Sequence, residues 1–97
     1  MHEPTRSEVE ALAGATLLEF GASWCGYCLA VQPDIAAVLA KHPAVRHVRV
    51  EDGRRQPLGR SFGVKLWPTL IYLFDGTEKA RVVRPDSVAE IEAIFAS

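Results

Sequence analysis

Ninety-seven residues predict a single domain, residues 1–97, with room for one modest core. Hydrophobic residues make up 48% and charged residues 24%, and no apolar run approaches the ~20 residues of a membrane span, so a globular chain without membrane contact is expected. The net charge of −1 excludes a nucleic-acid binder driven by bulk charge.

Met1-His2-Glu3-Pro4-Thr5-Arg6 has no basic region leading into an apolar core. No signal peptide is read there, and the expected compartment is the cytoplasm. Thr5-Arg6-Ser7-Glu8 reads as a capping box that opens a short helix through about Ala13, with Gly14 ending it. Thr16 to Gly21 is predicted to be a strand. It is apolar on both parities except at Glu19, the pattern of a central strand covered on both faces. A helix is expected from Cys25 or Gly26 to about Lys41, with Cys28, Val31, Ile35, Val38 and Leu39 on one buried stripe. Pro33 lies inside that helix and should kink it, and Pro43 stops it.

Val45 to Val50 reads as a second strand, with Val48 and Val50 on one face and His47 and Arg49 on the other. Strand, helix and parallel strand make a right-handed βαβ unit. Pro57 opens a short helix to about Phe62, ended by Gly63. Arg46, Arg49, Arg54, Arg55, Arg60 and Lys65 make this third of the chain basic, which reads as a solvated face. Leu70 to Phe74 is an apolar strand, Asp75-Gly76 a hairpin turn, and Lys79 to Arg84 the returning strand. Ser87 and Glu90 signal a second capping box, and Val88, Ile91, Ile94 and Phe95 line the closing helix. The order α-βα-βα-ββ-α predicts an α/β sheet of about four strands covered on both faces.

Chemistry concentrates in Trp24-Cys25-Gly26-Tyr27-Cys28, which holds the only two cysteines. At a helix start, the first thiol meets free backbone N–H groups and the helix dipole, which favour a thiolate and so a nucleophile. The second thiol can then attack a mixed disulfide made by the first. Zinc normally takes four Cys or His ligands, and His2, His42 and His47 have no paired spacing to complete such a set, so no metal is expected. A purely structural staple over so short a ring would constrain the unfolded chain little. Glu19 is a carboxylate in a buried strand. Unless paired, its pKa should be raised; it reads either as a proton acceptor for the second thiol or as a partly exposed or salt-bridged residue.

This element order, together with the Cys25–Cys28 motif, resembles the thioredoxin family from about residue 15 onward. The resemblance implies a thioredoxin-like fold whose first strand is missing here, and it implies no cofactor. It makes Cys25 the attacking nucleophile, Cys28 the buried resolving thiol and Glu19 the buried acid. Pro33 matches the family's helix-kinking proline, Asp75-Gly76 its final hairpin turn, and Arg49 the basic residue beside the acid. Trp67-Pro68-Thr69 corresponds to a loop with a cis proline, where Pro68 shapes the groove and Trp67 and Thr69 flank a docking substrate strand. Trp24, Gly26 and Tyr27 complete the expected binding rim. Implied partners are disulfide-bearing proteins and an upstream dithiol reductase, with the chain a monomer. Tyr27, Trp67 and Arg84 depart from the common family pattern. Three functions stay open on the sequence: a disulfide reductase, an oxidase or isomerase of an exported compartment, and a binding module that does not turn over.

Overall fold

The structure is a computed structural model and describes residues 3–96. Thr5 accepts a hydrogen bond from the Glu8 backbone N–H at 3.1 Å, and the Glu8 carboxylate accepts one from Thr5 N–H at 2.8 Å. This box opens helix α1, Arg6–Glu10. The helix ends three residues before the expected Ala13. Leu12 N–H turns back to the Val9 carbonyl, and Gly14, at φ +77°, swings the chain into the sheet.

Strand β1 is Ala15–Gly21, helix α2 Gly26–Ala40, strand β2 Arg46–Glu51 and helix α3 Pro57–Ser61. Strand β3 (Thr69–Phe74), strand β4 (Thr77–Val83) and helix α4 (Val88–Ile94) complete the chain. The sheet has four strands in the order β2-β1-β3-β4, parallel between β2 and β1 and antiparallel elsewhere. β1 is central, and its residues from Thr16 onward are buried, as the unbroken apolar pattern requires. β4 starts at Thr77 rather than Lys79, because Asp75 and Gly76 both take positive φ and form a two-residue turn with no slack. The Ser87 hydroxyl caps α4 by accepting Glu90 N–H at 3.2 Å, but the Glu90 carboxylate accepts the backbone N–H of Asp86, not of Ser87.

Side-chain alternation on β1 divides the core between two layers. Leu17 packs with Val31, Ile35 and Val38 of α2 and with Ile91 and Ile94 of α4. Leu18 and Phe20 face the opposite way, toward Val9 of α1 and Leu58 and Phe62 around α3. Glu19 shares the parity of Leu17 and therefore points to the α2 side. The in-register pairs Leu17–His47 and Glu19–Arg49 bring the polar face of β2 alongside it. The six basic residues between 46 and 65 are all exposed, in keeping with a solvated face.

Candidate active site

β1 ends at Gly21, and the short turn after it delivers Cys25 to the first position before α2. Cys25 is the N-cap of that helix, with extended backbone at φ −80° and ψ 118°. Its Sγ accepts the Cys28 backbone N–H at 3.2 Å, satisfying a donor that the helix leaves free. Both cysteines are free thiols and both are buried, packed with Ala22 and Trp67. Burial pushes the Cys28 thiol up to about 11, helped by its hydrogen bond to Cys25 and by the negative charges of Cys25 and Glu19. The room it occupies exists because residue 21 is glycine: a Cβ there would stand 2.8 Å from Cys28 Sγ.

Glu19 is 3% exposed and it is paired, the condition under which its pKa need not rise. Burial does push the carboxyl up, but hydrogen bonds from His47 and Gln32 and the charges of His47 and Arg49 outweigh it, and the net shift is downward. His47 Nε2 lies 2.7 Å from Glu19 Oε1. Gln32 Nε2 donates to Glu19 Oε2 at 2.6 Å and to the Cys28 carbonyl at 2.9 Å. Arg49 Nε stands 3.7 Å from Oε1. Glu19 is thus a carboxylate held ionised. A cleft of about 340 Å3 runs from it past Gly21, Ala22 and Cys28 to Arg49 and Glu51 at the surface.

The loop from Leu66 to Thr69 packs against the cysteines through Trp67. The Trp67–Pro68 peptide is cis. The Trp67 indole N–H donates to Asp52 Oδ2 at 2.8 Å, and the ring meets Trp24 edge-on at 5.5 Å between centroids. Asp52 is itself seated against α3, where Gly59 leaves no space for a Cβ. Arg84 closes the loop from β4: its N–H donates to the Pro68 carbonyl at 2.9 Å and its Nε to the Trp67 carbonyl at 2.8 Å. Its guanidinium lies 4.4 Å from the centre of the Tyr27 ring. Trp24 and Tyr27 are exposed, at 74% and 63%, so the thiols sit inside an aromatic rim. Thr69 is buried and its hydroxyl donates to the Leu66 carbonyl at 2.6 Å. Gly26 is exposed with nothing near its missing Cβ.

The sequence model described as Thioredoxin matches residues 3–97. The chain belongs to the thioredoxin family. Its fold superposes with a TM-score of 0.86 on thioredoxin 2 from Pseudomonas aeruginosa PAO1 in its reduced form, at 55% identity over 96% of this chain and 86% of that one. Thioredoxin from Chlamydia muridarum is 35% identical over 71 residues, 73% of this chain and 70% of that protein. Protein disulfide-isomerase A2 of Pongo abelii is 46% identical over 66 residues, which are 64% of this chain but only 13% of the isomerase, so the chain spans a small part of that relative.

Within this thioredoxin fold the expected thiols, acid, proline loop and aromatic rim converge on one place. Sequence reasoning missed Gln32, Asp52 and the part played by His47. The available signal was parity: His47 shares the face of Arg49 on β2 and so the side of Glu19. The three histidines were weighed as zinc ligands. Of these, His47 turns to Glu19, His42 to Glu92 and Phe95, and His2 lies outside the described residues. Among the described residues no group of His, Cys, Asp and Glu is placed to hold a metal ion.

Proposed function

We propose that the protein reduces protein disulfides by dithiol exchange through Cys25 and Cys28. The observation that carries this reading is the placement of the pair: Cys25 caps α2 with its Sγ accepting the Cys28 backbone N–H at 3.2 Å, and Cys28 lies buried behind it in the cleft that Glu19 lines.

A substrate strand docks against the cis Trp67–Pro68 peptide, between the rings of Trp24 and Tyr27 and over the exposed backbone of Gly26. Cys25, as thiolate, attacks one sulfur of the substrate disulfide. That S–S bond breaks, and the departing sulfur leaves as thiolate and takes a proton from water. Cys28 then loses its proton with help from Glu19 and attacks the Cys25 sulfur. The mixed disulfide breaks, a Cys25–Cys28 disulfide forms, and the substrate has gained two electrons and two protons. An upstream dithiol reductase restores the pair. This reading fits a monomer working in a reducing cytoplasm; among the described residues no helix is long and apolar enough to cross a membrane.

The match to protein disulfide-isomerase A2 favours a second reading, isomerisation, on the stretch they share. Equilibration against glutathione separates the two. A reduction potential near roughly −270 mV is expected for a reductant. A value between about −180 and −120 mV assigns the chain to isomerase or oxidant chemistry, and the lack of any reversible disulfide leaves a binding module.

A further inference from the structure

Removing the Cys28 proton is the hard step of the proposed cycle, and Glu19 is a reluctant acceptor while its carboxylate is fully paired. Its two oxygens are engaged by His47 at 2.7 Å and Gln32 at 2.6 Å, with Arg49 at 3.7 Å. Every charged or titratable group around it can be placed. β2 contributes His47 and Arg49, and α2 contributes Cys28, with neutral Gln32 bridging to the Cys28 carbonyl. β3 opposes it with Leu70, and Glu51 stands at the cleft mouth, accepting Ser23 N–H. Of these side chains, His47 is the one imidazole, the side-chain type that serves as a charge switch near neutral pH.

Its position suits it to such a role. One ring nitrogen meets Glu19, and the other has no partner among the described residues. The side chain is 26% exposed, so it exchanges protons with solvent while touching a carboxylate that is 4% exposed. A neutral imidazole donating through Nε2 steadies Glu19 by a hydrogen bond. An imidazolium adds a full positive charge at the same distance and lowers the affinity of Glu19 for any further proton.

We propose that His47 is a positioning residue that makes resolution pH-sensitive: neutral, it leaves Glu19 able to draw the Cys28 proton across the cleft; protonated, it claims the carboxylate and holds the mixed disulfide longer. Glu19 and Cys28 line one cleft of about 340 Å3, roomy enough for water to carry the proton between them. The inference rests on the dithiol-exchange reading above. It adds that protonating His47 slows product release beyond what acid does to either thiol.

Stopped-flow reaction of the reduced protein with 2,2′-dithiodipyridine reads both steps, because each releases one pyridine-2-thione: the first on attack by Cys25, the second on attack by Cys28. The second phase should rise with pH through the imidazole range by about five-fold more than thiol ionisation alone accounts for, the scale of a partly exposed ion pair. In His47→Gln an amide keeps a donor to Glu19 but carries no charge. The extra rise should vanish, and at pH 5.5 the variant should resolve faster than the native protein by about the same factor, with the first phase unaltered. His47→Asn, a shorter amide, should behave alike. A second phase in His47→Gln that follows the native profile, or that is slower at every pH, overturns the proposal. A first phase without any second phase in the native protein overturns the dithiol-exchange reading itself.

Discussion

At the scale of single residues, Glu19 shows how a buried charge is decided by its partners. Desolvation alone would make it a neutral acid; two hydrogen bonds and two cationic neighbours make it an ionised one. The consequence for stability has a definite sign. A carboxyl whose folded pKa lies below its ordinary 4.5 binds its proton more weakly folded than unfolded. It therefore stabilises the fold at pH values above 4.5, and that contribution drains away as pH falls through the lower, folded value. Urea unfolding of the native protein and of Glu19→Gln between pH 6 and pH 2.5 checks this. The native protein should lose stability relative to the variant as acid is added below about pH 4.5. Parallel curves down to pH 2.5 would mean that Glu19 is not held ionised.

Between elements, the hairpin that joins β3 to β4 also seats the end of α1. Gly76 has φ +79°, and a Cβ there would overlap the Glu10 carbonyl. Gly63, after α3, has φ +70° but open space around it. Alanine at Gly63 should cost only the left-handed backbone penalty, about 1–2 kcal/mol. Alanine at Gly76 should cost more, by roughly 1–3 kcal/mol, because α1 must shift as well. Equal losses in urea unfolding would show that α1 is not clamped there. These elements also mark what was legible in the sequence. Thr5, Ser87, Pro57 and Asp75-Gly76 announce their helix starts and turn because capping and turn chemistry are local. The end of α1 was not legible, since Leu12 continues an apolar stripe that the chain abandons in order to enter β1. The thiols were legible from spacing, and the buried acid from its break in an apolar run. Its charge state was not, because His47 and Gln32 lie 28 and 13 residues away and reach it only through strand register and helix packing.

Across the whole molecule, redox state and folding stability are one equilibrium seen from two sides. The folded pair and the same pair in the unfolded chain form a thermodynamic cycle. The potential of the folded pair is thus lower than that of the unfolded pair by as much as the disulfide form is more stable than the dithiol form. A protein that stabilises its reduced thiolate becomes an oxidant, since reduction then gains folding energy. A reductant, as proposed here, is the opposite case: its disulfide form is the more stable one. The oxidised protein should therefore melt above the reduced one. For a domain of this size each ~1 kcal/mol moves the midpoint by about 4–8 °C, so a reductant should lower it by several degrees. Thermal unfolding followed by circular dichroism, with and without excess dithiol, reads the sign directly. A reduced form that melts higher would reverse the proposed direction of electron flow, and it would do so without reference to any substrate.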